Sequence, residues 1–269
     1  MNHVSRTLTA PDGRAFKSHA WELREGGYRK SLLLLGYPFW PVAREKRLVD
    51  FLTARGFRVN ALELGPARSE PAAPGLAAIR SAAADYAARL CASGLPLYVL
   101  AASFSAPVVL PLLAGMSGLR AVALVAPVLA LPPPGLRKPA WPLSTKAELT
   151  VGVDALSGQP ELLADLLGEG SPVLRFPKRD LGLLAEESAP AARSAALAEL
   201  ASKTALAAFL GEDDPFVPEP SRSLLASSGA KLHSYPRVRH APAYDRLADN
   251  FFVDLGSFLD GIEAAGGRS

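Results

Sequence analysis

One cysteine, Cys91, is present in 269 residues. It has no partner in the chain, so an intrachain disulfide is excluded, and so is a zinc site built on cysteine pairs. An excess of one charge is also missing. There are 29 basic and 26 acidic residues, a net charge of +3. No long basic run occurs; Lys46-Arg47 and Lys178-Arg179 are isolated pairs. This charge is too small and too scattered to be the footprint of a nucleic-acid-binding surface. The segment from Met1 to Phe16 lacks the apolar stretch of a secretory leader. A reducing compartment fits the cysteine usage, and the cytoplasm is the expected location.

Long hydrophobic runs are scarce. From Leu90 to Leu119 no residue is charged, a length that could cross a bilayer. Ser93-Gly94, the small residues Ala101 to Ser105, Pro107, Pro111 and Gly115 divide it. It is better read as a buried strand, a tight turn and a buried helix, and no membrane span is expected.

What is present is apolar material for a substantial core: 49% of residues are hydrophobic. The pattern predicts strands at 5–10 and 14–23, turned by Asp12-Gly13. Ser31–Leu35 is nearly all apolar, as suits a strand buried on both faces. A helix is expected over 44–55, closed by Gly56. A strand at 57–64 follows, then an Ala-rich helix at 76–92 and a strand at 97–101. A helix at 104–116 and a strand at 121–126 complete this half. Pro111 predicts a kink or break in the helix at 104–116. This alternation implies an α/β fold, a mostly parallel central sheet with helices on both faces and right-handed crossovers. From Leu131 to about Lys203 the pattern changes, opening on Pro132-Pro133-Pro134-Gly135. Short Leu-rich pieces such as 161–167 and 181–187 follow. This stretch reads as a cap inserted into the sheet order. The organisation is one domain: core at 1–130, cap at 131–203, core again at 204–269. Ala205–Leu210 and Ala230–Tyr235 are its last strands and Ala248–Ala264 its closing helix.

Four elements could carry chemistry. Ser103 sits after the strand at 97–101 and before a helix. It would project from the carboxyl edge of the sheet, where open α/β sheets place ligands. The helix N-terminus would face the same point. Ser103 could equally act as a helix cap. Leu35-Gly36-Tyr37-Pro38 ends another apolar strand. Asp214, in Gly211-Glu212-Asp213-Asp214-Pro215-Phe216-Val217-Pro218, follows the strand at 205–210, with Asp213 as the fallback. An acid at a strand end can orient an imidazole and stabilise its charged form; an Asp-Pro surface turn is the plainer reading. His240, in Arg239-His240-Ala241-Pro242, lies beyond the next strand. His233 competes but falls inside that strand, and His3 and His19 lie near the N-terminus.

The order Ser, Asp, His is that of α/β hydrolases, and over nearly its whole length the chain resembles this superfamily. The helix and strand at 51–59 resemble its first core helix and the strand after it. Leu62-Glu63-Leu64 and Ser69 resemble the following loop. The resemblance implies an α/β-hydrolase fold with an inserted cap, and a cofactor-free, metal-free serine hydrolase with Ser103, Asp214 and His240 as its triad. It places the backbone N–H groups of Tyr37 and Phe104 in the oxyanion hole. The superfamily's Gly-x-Ser-x-Gly reads Ala101-Ala102-Ser103-Phe104-Ser105 here, with both glycines replaced by small residues. Its His-Gly-x-Pro begins with Leu35. Asp214 matches Gly-x-x-Asp-x-x-Val. Ala101 to Ala106 is also similar to the elbow of the acyl-transferase (acyl-carrier-protein thioesterase) of bacterial bioluminescence, which implies a small-molecule acyl ester or thioester substrate. Leu163, Leu166, Leu167, Leu183 and Leu184 could line an acyl pocket or merely pack the cap. An acyltransferase, a C–C bond hydrolase or a perhydrolase would use the same triad. A nucleophile of Ser rather than Asp speaks against dehalogenation. A binding protein on a hydrolase scaffold is the alternative of another class.

Overall fold

Apolar runs too short for helices, and rich in Leu, Val and Ala, become the inner strands of one sheet. The computed structural model describes residues 1–9, 13, 15–23, 27–37, 40–63, 76–129, 146–150, 152–167, 173–177 and 190–266. The strands are β1 (Asn2–Thr9), β2 (Ala15–Glu22), β3 (Lys30–Leu35), β4 (Phe57–Leu62), β5 (Leu97–Ala102), β6 (Leu119–Val125), β7 (Lys146–Thr150), β8 (Val173–Pro177), β9 (Ala205–Gly211) and β10 (Lys231–Tyr235). Eight of them form a sheet in the order β1-β2-β4-β3-β5-β6-β9-β10. β1 and β2 are antiparallel to each other, and β2 is antiparallel to β4; from β4 onward every pairing is parallel. β7 and β8 pair separately as an antiparallel ribbon.

Alternate residues of each inner strand enter different cores, as the two-residue period of a strand requires. On β3, Leu32 and Leu34 join one buried cluster while Leu33 and Leu35 join the other. On β5, Tyr98, Leu100 and Ala102 face the first, and Leu97, Val99 and Ala101 the second. Truncating one of these leucines to alanine costs about 2–5 kcal/mol. The first cluster is covered by α1 (Lys46–Ala54) and α8 (Ala248–Gly266), the second by α2 (Leu76–Cys91), α3 (Ser105–Gly115) and α6 (Pro190–Lys203).

α3 runs through Pro111 as one helix, where the sequence predicts a kink or break. The Arg80 guanidinium donates to the Val108 carbonyl in the same turn, at 3.0 Å. α6 lies within the stretch read as cap from the sequence, yet its Leu197 and Leu200 are buried in the second core cluster with α3. Short helices α4 (Val153–Leu156) and α5 (Ala164–Leu167) flank a 3₁₀ turn at Pro160–Leu163. Leu156, Leu163 and Leu166 are buried in the first cluster. The Leu-rich piece at 181–187, Leu183 and Leu184, Asp12, Ser69 and Pro132 to Gly135 lie outside the described residues. α7 (Glu219–Ser227) joins β9 to β10. Among the described residues no helix is long and apolar enough to cross a membrane.

Candidate active site

Because β3, β5, β6, β9 and β10 run parallel and adjacent, the loops leaving their carboxyl ends share one rim. Each candidate residue sits on one of those loops. Ser103 follows β5 directly, with φ of 56°. A non-glycine residue in this left-handed region costs about 1–2 kcal/mol. Three backbone hydrogen bonds hold the turn: Ser103 N donates to Val125 O at 2.9 Å, and Ser103 O accepts from Val128 N at 3.2 Å and from Ala106 N at 3.3 Å. A strained strand-to-helix turn of this kind lifts a side chain out of the sheet edge. Ala101, Ala102, Ser105 and Ala106 around it are all buried, so the small residues at the altered glycine positions fit a crowded turn.

The imidazole of His240 bridges the other two members. Ser103 Oγ lies 2.7 Å from His240 Nε2, and His240 Nδ1 lies 2.8 Å from Asp214 Oδ2. The carboxylate beside Nδ1 favours the tautomer with its proton there, leaving Nε2 to accept from the hydroxyl. The second Asp214 oxygen accepts from Phe216 N at 2.8 Å. The Phe216 ring packs against the imidazole, centroids 4.7 Å apart. Ser103 and His240 are each 0% exposed. Gly211 makes the approach of the two loops possible: a Cβ there would lie 2.3 Å from the carbonyl oxygens of both Val238 and Arg239.

The alternative residues lie apart from this contact. Asp213 is exposed. His233 Nδ1 lies 3.3 Å from Asp254 Oδ2, and its ring stacks on Phe209. His3 and His19 meet each other at 3.0 Å on β1 and β2.

The loop after β3 reaches the same rim. Leu35 pairs with Ala101 in the sheet, which brings Gly36 and Tyr37 beside Ser103. Ser105 Oγ donates to Gly36 O at 2.6 Å. The Tyr37 hydroxyl donates to His240 O at 3.2 Å. Burial, with the nearby carboxyl groups of Glu45 and Asp214, pushes the Tyr37 phenol well above its ordinary value of 10.0, so it remains a neutral donor. Phe104, the other predicted oxyanion donor, follows Ser103 at the head of α3 and is half-buried. Tyr37 N donates to Glu45 Oε1 at 3.2 Å. Neither Ser105 nor Glu45 is singled out by the sequence. Ser105 stands where the superfamily pattern has glycine, and that substitution was its one visible signal. Glu45 looks like any charged residue at a helix start.

The segment between β6 and β9 is fastened over the histidine loop. Ala241 N donates to Leu156 O at 2.8 Å, and Arg44 Nη1 to Leu166 O at 3.0 Å. One oxygen of the buried Asp245 accepts from Arg239 N at 2.8 Å and from Gly158 N at 3.1 Å. Among the described residues no cluster of three or more His, Cys, Asp or Glu could hold a metal ion.

No protein-family model matches the chain, and no curated protein matches it in sequence. Solved structures do match. A soluble variant of monoglyceride lipase from Saccharomyces cerevisiae, in complex with a substrate analog, superposes with a TM-score of 0.77 at 14% identity, over 97% of this chain and 95% of that one. This chain has the α/β-hydrolase fold. A thermostable carboxyl esterase from Bacillus coagulans superposes on this chain at TM-score 0.67 and 15% identity, over 97% of this chain and 99% of that one. A meta-cleavage product hydrolase gives 0.62 and 15%, over 96% of this chain and 98% of that one. Such identities carry the fold alone.

Proposed function

We propose that this protein is a cofactor-free serine hydrolase that cleaves a carboxylic ester or thioester through an acyl-enzyme on Ser103. The observation that carries the reading is the 2.7 Å contact between Ser103 Oγ, on a positive-φ turn, and His240 Nε2. His240 takes the hydroxyl proton as Ser103 Oγ bonds to the acyl carbon. The tetrahedral oxyanion is held by the N–H groups of Tyr37 and Phe104. The C–O or C–S bond to the leaving group then breaks, and His240 returns the proton to that group. Water, deprotonated by the same imidazole, attacks the acyl carbon; the bond to Ser103 Oγ breaks, His240 returns the proton to Oγ, and the acid is released. Asp214 orients the ring and stabilises its charged form. Removing one oxyanion donor typically costs about 2.7–4 kcal/mol of barrier.

Apolar surroundings favour an acyl group as the substrate's recognised part. Leu156, Leu163 and Leu166 share a buried cluster with Tyr37, Trp40 and Phe216, and Phe104 and Leu167 pack against it. Within the segment at 131–203, the part that carries these leucines, 153–167, is read as cap, and the protein as one acting in the cytoplasm. A fluorophosphonate probe tests the reading. It should label the wild-type protein at Ser103, and Ser103→Ala should lose both labelling and p-nitrophenyl ester hydrolysis while remaining folded. Unchanged turnover in that variant would reject the assignment. No labelling together with tight ligand binding would instead mark a binding protein on a hydrolase scaffold. A chain-length series of esters and thioesters then fixes the substrate class.

A further inference from the structure

Glu45 immediately precedes α1, the place where an acidic side chain ordinarily caps a helix. It makes no side-chain capping bond. Its carboxyl group turns inward instead and is 0% exposed. One oxygen, Oε1, accepts from Tyr37 N at 3.2 Å and from Trp40 Nε1 at 3.3 Å. The other, Oε2, has no hydrogen-bond partner among the described residues. Gly36 leaves room for this carboxyl: a Cβ at that position would lie 2.2 Å from Oε1. The amide that Glu45 holds is the one assigned above to the oxyanion.

We propose that Glu45 is a positioning residue of the oxyanion hole: its neutral carboxyl aims the Tyr37 N–H and yields it to the substrate oxygen, whereas its ionised form keeps that N–H and opposes the developing charge. The proposal rests on the acyl-transfer reading. Its physical basis is competition of two acceptors for one donor. A carboxylate accepts a hydrogen bond about twice as strongly as a neutral group, and in a water-excluded site its charge repels an incoming oxyanion with little screening.

Among the described residues, the groups facing Glu45 leave its negative charge uncompensated. Glu63, after β4, is a second carboxyl that disfavours ionisation of the first. From the turn at Pro242–Tyr244, the Tyr244 phenol adds no positive charge; burial, with Glu45 nearby, raises it well above 10.0. Tyr37 contributes its amide and a neutral phenol. Arg44, next in sequence, is turned to Leu166 O. Arg47 acts on Tyr244 and forms its ion pair with Asp249. Burial therefore dominates and pushes Glu45 from 4.5 up to about 7, against the opposing hydrogen bonds from Tyr37 and Trp40.

The test is the pH profile of kcat/KM for ester hydrolysis, on protein whose Ser103 reacts with a fluorophosphonate. The wild-type rate should fall above a midpoint near neutrality, by up to about tenfold per pH unit. Glu45→Gln keeps an oxygen for Tyr37 and Trp40 but cannot ionise; it should lose the falling limb and retain the rise at acid pH. Glu63→Gln should move the wild-type limb to lower pH, since the neighbouring charge is gone. That second variant decides the matter if Glu45→Gln fails to fold. A labelled Ser103 with a falling limb unchanged in Glu45→Gln, or unmoved in Glu63→Gln, overturns the role of Glu45 alone. An unlabelled Ser103 overturns the acyl-transfer reading itself.

Discussion

Ser105 donates a 2.6 Å hydrogen bond to the carbonyl of Gly36, tying the turn that carries Ser103 to the loop that carries Tyr37. A glycine at position 105, as in the superfamily pattern, has no side chain with which to do this. The departure that weakens the sequence motif thus supplies a brace between two loops whose spacing matters.

Ser105→Ala should remove that brace without changing backbone preference. Losing a hydrogen bond to a buried carbonyl costs about 1–3 kcal/mol, readable as a lower denaturation midpoint. Turnover should drop with little change in KM, because the oxyanion site is loosened more than ground-state binding. Ser105→Gly, which restores the superfamily residue, should lose turnover as well. Full activity in both variants would show that the brace has no part in the reaction.

The positive φ of Ser103 gives a second comparison. Ser103→Ala and Ser103→Gly both lack the hydroxyl, so both should be inert to a fluorophosphonate. Only glycine tolerates a φ of 56° without a steric penalty. The glycine variant should therefore be the more stable of the two, by about 1 kcal/mol, in a urea titration. Equal midpoints would mean that the turn relaxes once the hydroxyl is lost.

Gly211→Ala should separate the acid from the base. Its Cβ would meet the backbone carbonyls of Val238 and Arg239, each 2.3 Å away, and backbone cannot swing aside as a side chain can. Overpacking of this kind costs about 1–3 kcal/mol. The shift falls on the loop leading to His240, so hydrolysis should fall far more than thermal stability. A fully active Gly211→Ala protein would contradict the close packing of the two loops.

Glu45 also makes stability depend on pH. Its carboxyl is raised on folding from 4.5 to about 7, so the folded state holds the proton more tightly. The stabilisation is complete below the unfolded value and is lost as pH rises through the folded one. The shift corresponds to about 3 kcal/mol at most. Glu45→Gln, neutral throughout, should match the wild type near pH 5 and exceed it in stability near pH 9. Denaturant melts at the two pH values measure the difference; identical curves at both would show that Glu45 has no raised pKa.

The sheet was legible because its inner strands are apolar on both faces. The runs at 31–35 and 97–101 need no partner information to be read as buried parallel strands, and β3 and β5 begin and end within a residue of them. The loop positions of Ser103, Asp214 and His240 were legible because each follows a strand predicted from the sequence, and the structure places them after β5, β9 and β10. What stayed hidden depends on distant contacts. α6 falls inside the stretch 131–203 read as cap, and its packing on α3 is a contact between distant segments that no local pattern displays. Pro111 reads locally as an interruption, yet α3 continues through it, packed against α2 and α6. Glu45 and Ser105 matter through backbone atoms of Tyr37 and Gly36, and no local pattern announces a side chain bonding to a distant main chain.

The fastening of Ala241 to Leu156 and of Arg44 to Leu166 has a kinetic consequence. With Ser103 and His240 each 0% exposed, a reagent arriving from solution should react only after a local opening of the protein. Two fluorophosphonates of different intrinsic reactivity, each at saturating concentration, should therefore converge on one inactivation rate. That shared ceiling would time the opening of the protein rather than the making of a phosphorus–oxygen bond.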